Sequence, residues 1–145
     1  MSLQIFIDTW AWGALASQDD NYHLAATRTH AELLSAGYQY VTSEQILIET
    51  ITLLFSRLDP PSAVNFINRV IASEKDGLIR ILPASRHTLD SAWELKKKFI
   101  DKPDISIVDF TTMHLMLENG ISDIFTGYKH FTYVGLRFRL FPESP

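Results

Sequence analysis

The sequence predicts an α/β domain in which a mostly parallel central sheet is flanked by helices in three layers. Short apolar runs of strand type, "LQIFID", "YQYV", "LIRIL" and "DIF", alternate along the chain with longer amphipathic stretches of helical period. The 145 residues, 46% of them apolar, suit one domain with a sizeable core, spanning 1–145. No repeat, linker or low-complexity tract marks off a second.

Each element has its own signal. "LQIFID" stops at Asp8, and "TWAWGAL" begins a helix capped by Asp8 or Thr9. In "YHLAATRTHAELLSAG", Leu24, Ala25, Ala31 and Leu34 share one helix face and Gly37 is the stop. "YQYV" is the second strand. Ser43 suits an N-cap for "EQILIETITLLFSRL", which Pro60 and Pro61 close, and a further amphipathic helix runs from Ser62 to Asp76. "LIRIL" is the third strand, followed by the helix "TLDSAWELKKKF" and the loop "IDKPD". Ser106 caps "IVDFTTMHLMLEN", Gly120 ends it, "DIF" is the fourth strand, and "GLRFRLF" alternates as an edge strand.

Composition excludes several chemistries. The chain has no cysteine, which removes disulfides, thiolate nucleophiles and sulfur-ligated zinc and fits a reducing compartment. Any metal must be held by oxygen or imidazole. "MSLQIFID" lacks a basic start, and its apolar run falls far short of a span of roughly 20 residues. The expectation is a cytoplasmic protein without membrane association. There is no glycine-rich phosphate loop and no nucleophile elbow, and "DTW" lacks the second aspartate of an aspartyl-phosphate phosphatase.

A net charge of −4 argues against a generally basic nucleic-acid coat, but residues 73–145 carry ten basic side chains against three in residues 1–72. Lys96, Lys97, Lys98, Lys102, Lys129, Arg137 and Arg139 offer a local basic surface; the lysine run equally suits a solvated helix face. His23 and His30, seven apart on what reads as an exposed helix face, have no acidic helper and suggest no metal site. Trp10, Trp12, Phe110 and Met113 read as core or interface packing rather than a base-stacking platform.

Three carboxylates stand out, because ligands of open parallel sheets collect beyond the carboxyl ends of the strands. Asp8 lies at such a junction, although an N-cap explains it equally well. Asp109 suits the N3 position of a capping box with Ser106, near the positive end of the helix dipole. Glu49 lies six residues past Ser43 among Ile46, Leu47, Ile48, Ile51 and Leu53, too deep in its helix to cap it. The expectation is a helix buried on most sides, with a carboxylate that needs a proton, a cation or a metal. Three acids from separate elements repel one another unless a divalent cation joins them, and hard oxygen donors suit Mg²⁺ or Mn²⁺.

Four motifs in order, "IFIDTWAW", "VTSEQILIET", "DISIVDFTTMHLM" and "DIFTGYKHF", resemble the PIN domain, in particular the single-domain ribonuclease toxins of the VapC type. The resemblance covers nearly the whole chain. It implies a single PIN-like domain, an acidic cleft holding Mg²⁺ or Mn²⁺, endonucleolytic cleavage of RNA, a small antitoxin partner and a homodimer. It places Asp8, Glu49 and Asp109 on the three principal acidic positions, as metal ligands and catalytic groups. Thr9, Ser43, Ser106 and Thr126 fall on the supporting polar positions.

The chain departs from the pattern where a fourth acid ordinarily follows the threonine by two residues, because Tyr128 stands there. A phenol is a poor Mg²⁺ ligand. Asp104, in the loop before the Asp109 helix, is a candidate substitute, against the plain reading of a solvated loop residue. His130 and Lys129, beside the missing acid, suit a surface role or a phosphate contact. The rival reading is a catalytically weak or inactive PIN-like module that binds RNA or protein.

Overall fold

The computed structural model describes residues 3–143, so the first two and last two positions of the expected 1–145 domain lie outside the described residues. In chain order the elements are β1 (Gln4–Ile7), α1 (Thr9–Ala16), α2 (His23–Ser35), β2 (Gln39–Ser43), α3 (Glu44–Arg57), α4 (Pro60–Lys75), β3 (Ile79–Leu82), α5 (Arg86–Lys98), α6 (Ile107–Glu118), β4 (Asp123–Phe125) and β5 (Arg139–Phe141). A 3₁₀ turn covers Lys129–Thr132. The five strands form one parallel sheet in the order β3-β2-β1-β4-β5. Ile5, Phe6 and Ile7 of the central strand are fully buried, as expected of a parallel strand covered on both faces. Among the described residues no helix is long and apolar enough to cross a membrane.

The order places the switch in chain direction between β1 and β4, where open parallel sheets form their ligand crevices. Register then decides who meets there. Ile7 pairs with Phe125, so Asp8 and Thr126 emerge side by side, one step beyond the ladder. Phe6 pairs with Val41, which by the same count brings Ser43 level with Asp8 on the other flank. Helix α6 supplies the floor: Phe110, Met113 and Met116 are fully buried, and each such side chain contributes about 1.5–3 kcal/mol of transfer free energy.

Five expectations change. Pro60 and Pro61 occupy the first turn of α4, which Asp59 caps, so the prolines open that helix two residues before the expected Ser62; proline tolerates a first turn because its missing N–H has no partner there. Helix α5 begins at Arg86 with Ser85 as its cap. The buried face of α2 is Ala26, Thr29 and Leu33, while Leu24 and Leu34 are exposed. His23 and His30 are not on a solvated face: His23 Nδ1 lies 2.8 Å from the Ala14 carbonyl and His30 Nδ1 lies 2.7 Å from the Tyr40 hydroxyl. Finally, α3 buries only one stripe, Ile46, Thr50 and Leu54, and leaves Ile48 and Phe55 exposed.

Candidate active site

Asp8 occupies the N-cap position of α1, yet its side chain makes no capping hydrogen bond. Its carboxylate is almost wholly buried and accepts instead from the Thr126 hydroxyl, 2.8 Å from Oδ2. Thr126 in turn accepts from the Tyr128 backbone N–H at 3.1 Å, so one side chain fixes both the carboxylate and the turn after β4. Gly127 is required in that turn, because a Cβ there would stand 2.3 Å from Cε2 of the Trp10 indole. No larger residue fits without moving Trp10 or the turn.

Glu49 is half-buried on α3, and its Oε1 accepts from the Thr9 hydroxyl at 3.0 Å. Thr9 therefore ties the Asp8 junction to the acid of the neighbouring helix. Ser43 is fully buried and spends its hydroxyl as the α3 N-cap, accepting from the Ile46 N–H at 3.1 Å. Ser106 and Asp109 form the capping box: the Asp109 N–H donates to Ser106 Oγ, and the Ser106 N–H donates to Asp109 Oδ2 at 3.0 Å. The same Oδ2 lies 3.1 Å from His130 Nε2, a close charge contact without the alignment of a hydrogen bond.

The electrostatics join these groups into one site. Burial pushes the Asp8 carboxyl up to about 7; Thr126 opposes that rise, and the charges of Asp109 and Glu49 add to it. Glu49 is raised by burial, against the Thr9 hydrogen bond and with help from Asp109. The Tyr128 phenol, half exposed, is raised by burial, then by Asp8 and Asp109, with Arg57 opposing and Glu49 adding. Tyr128 thus stands in the field of all three acids, and its ring stacks on His130 at 5.3 Å between centroids. For His130, burial favours the neutral ring but Asp109 and Asp8 outweigh it, and the net shift is upward.

The donor set fits a hard divalent cation. The charges of Asp109 and Glu49 act on Asp8 and that of Asp109 on Glu49, and among the described residues neither Asp8 nor Glu49 has a lysine or arginine ion pair, so burial and mutual repulsion are opposed within the chain only by hydrogen bonds. The three do not close to within 4.8 Å of one another as a set. An ion shared by all three would therefore be held in part through water, as Mg²⁺ can be. Asp104 is exposed, forms no hydrogen bond or ion pair among the described residues, and is not among the charges that perturb Asp8, Glu49 or Tyr128.

The expected basic surface is largely committed elsewhere. Lys96 donates to the carbonyls of Pro103 and Ile105, closing the loop into α6. Lys97 pairs with Glu94, Lys102 with Asp101, and Arg139 with Asp123. His130 was visible in the sequence only as a neighbour of the missing acid; a four-residue 3₁₀ turn has no periodicity to announce which way it points. A separate groove of about 580 Å³, lined by Trp12, His30, Tyr40, Phe66 and Val70 among others, contains none of the acids.

No protein-family model matches the chain. A curated relative does: the 23S rRNA-specific endonuclease VapC20 of Mycobacterium tuberculosis is 30% identical over 131 residues, covering 90% of this chain and 94% of that protein. The crystal structure of M. tuberculosis VapC20, a sarcin-ricin-loop-cleaving toxin, superposes with a TM-score of 0.76 and 28% identity, covering 93% of this chain and 98% of that one. VapBC2 from Rickettsia felis, solved bound to a DNA fragment from their promoter, has a TM-score of 0.67 at 15% identity over 95% of this chain and 97% of that one, a likeness of fold. The parallel sheet, Asp8 at its switch point and a 30% identical relative matched over nine-tenths of the sequence lead to one conclusion: the chain belongs to the VapC family of PIN-domain toxins.

Proposed function

We propose that this chain is a metal-dependent endoribonuclease, the toxin of a toxin–antitoxin pair, with Asp8, Glu49 and Asp109 holding Mg²⁺ or Mn²⁺. The observation that carries the reading is the trio of acids without a lysine or arginine partner for Asp8 or Glu49, set by Thr126, Thr9 and the Ser106 capping box. When bound, the ion supplies charge stabilisation at phosphoryl oxygens and lowers the pKa of water. The chain supplies the rest. Asp8 is held rigid at the base of the cleft, where its raised pKa makes it a proton acceptor near neutrality in the ion's absence and a ligand in its presence. Glu49, half-buried on α3, is held by the hydrogen bond from Thr9, the residue next to Asp8. His130 and Tyr128 form the rim, where a donor imidazole and a phenol can meet a phosphate and a base.

RNA is the substrate class, and the 23S rRNA specificity of the M. tuberculosis relative makes large-subunit ribosomal RNA the first substrate to try. A small antitoxin belongs to the reading through the family, and self-association would draw on exposed apolar residues such as Ile48 and Phe55 of α3. Calorimetric titration with Mn²⁺ tests the centre of it. The chain should bind the ion, and Glu49→Gln should weaken binding at least tenfold; equal binding by both would remove Glu49 from the site.

The rival reading, a quiet binding module, draws on Tyr128, which stands at the position of the fourth acid and in the field of the other three. It predicts RNA binding without Mg²⁺-dependent cleavage. The three remaining acids favour the enzyme, because Mg²⁺ is commonly held by one or two protein carboxylates and retained waters.

A further inference from the structure

Helices α5 and α6 run antiparallel and are clasped by polar contacts at both ends. At one end Lys96 reaches the carbonyls of Pro103 and Ile105 ahead of α6. At the other, His87 from the first turn of α5 meets His114 and Glu118 from the last half of α6. His114 and Glu118 are one helical turn apart and so share a face. His114 lies five residues past Asp109, about 7.5 Å along the helix at 1.5 Å per residue, and Glu118 farther still. The cluster is therefore displaced from the acid cleft toward the other end of α6.

Its geometry is that of a ligand set. One potential ligand atom from each of the three residues lies within 4.8 Å of the other two. Glu118 Oε2 is 3.2 Å from His114 Nε2 and 3.4 Å from His87 Nε2. Donors about 2.0–2.1 Å from a tetrahedral zinc ion stand about 3.3–3.4 Å from each other, so these contacts already have the edge length of such a site. His114 Nε2 is buried and lacks an aligned hydrogen bond despite its short contact to Glu118. A buried nitrogen left in that state costs free energy unless something accepts its lone pair or its proton.

We propose that His87, His114 and Glu118 form a second metal site, for Zn²⁺ or a related late first-row divalent ion, distinct from the Mg²⁺ cleft. Two imidazoles and one carboxylate suit such ions, whereas Mg²⁺ prefers an all-oxygen shell. Three protein ligands leave a fourth position, and the exposure of His87 and Glu118 opens it to water. The ion ties the start of α5 to the end of α6 and so braces the helix whose first turn carries Asp109. This inference is independent of the nuclease reading, since none of its ligands lies in the cleft.

Metal-stripped full-length protein, with Mg²⁺ added in excess to occupy the acid cleft, is titrated with Co²⁺ and followed by its visible absorption. The expected result is one equivalent of Co²⁺ with the absorption of a four-coordinate ion, displaced by Zn²⁺, and a melting temperature raised by about 9 °C at a hundredfold excess of Zn²⁺ over its Kd. His87→Ala and Glu118→Gln should each weaken binding at least tenfold, whereas Asp8→Asn should leave it unchanged. His87 is largely exposed, so its alanine variant should melt like the parent without metal, which separates lost ligation from lost fold. Absence of Co²⁺ and Zn²⁺ binding, binding that survives His87→Ala, or binding abolished by Asp8→Asn would each overturn the proposal.

Discussion

Thr126 Oγ1 donates to Asp8 Oδ2 at 2.8 Å, a hydrogen bond between residues 118 apart in sequence that the parallel register of β1 and β4 makes neighbours. Among the described residues it is the one side-chain donor to Asp8, favouring its ionised form, and the same oxygen anchors the turn carrying Tyr128. Thr126→Val keeps the shape and removes the hydroxyl. It should raise the Asp8 pKa further, lower Mn²⁺ affinity at pH 7 by about tenfold and cost about 1–3 kcal/mol of stability. Calorimetry and urea unfolding of the two proteins check both numbers.

Asp8 also makes the metal-free protein sensitive to pH. Its carboxyl titrates near 7 in the fold and near its ordinary 3.8 in the unfolded chain, so the folded state binds the proton more tightly between those values. The resulting stabilisation is complete below about pH 4 and lost as the pH rises through 7. Three pKa units correspond to at most on the order of 4 kcal/mol. Asp8→Asn, measured in chelator, should therefore stabilise the protein at pH 8 and bring no such gain at pH 4. Equal effects at both values would show that burial does not govern this carboxyl.

Tyr128 stands in the field of all three acids, so a carboxylate placed there should reach the ion. Tyr128→Asp should tighten Mn²⁺ binding by about tenfold, or 1.4 kcal/mol. An unchanged Kd would mean that the side chain points past the cleft.

Gly127 is a packing requirement rather than a conformational one. With a Cβ only 2.3 Å from the Trp10 ring, Gly127→Ala must shift the turn or the indole. Overpacking of this kind costs about 1–3 kcal/mol, and it should also lower metal affinity, because Thr126 moves with the turn. Thermal unfolding and Mn²⁺ titration of the variant read both effects.

The strands and most helix ends were legible because each carries a local signal: Ser43 and Ser106 cap the helices expected of them, and Asp109 completes its box. What local signals leave open is which face or neighbour wins. Leu24 and Leu34 looked like the buried side of α2, but the small residues Ala26 and Thr29 let that helix sit closer to its neighbours with Leu33 inward. Glu49 was singled out for burial among apolar residues, yet α3 buries a single stripe, and the partner of Glu49 is a threonine 40 residues away. The meeting of Asp8 with Thr126, and of Asp109 with His130, depends on strand order and on a short turn. Neither has a period in the sequence. His87 and His114 lie on different helices, and only the packing of α5 on α6 joins them.

The central claim is that Asp8, Glu49 and Asp109 act together on RNA through one divalent ion. Its most direct test is Mg²⁺-dependent cleavage of ribosomal RNA by the purified chain, by Asp8→Asn and by Asp109→Asn, with folding of each checked by thermal melting. The account predicts cleavage that requires Mg²⁺ or Mn²⁺ and falls at least a hundredfold in both variants. Cleavage at the parental rate by the folded Asp8→Asn protein would contradict it.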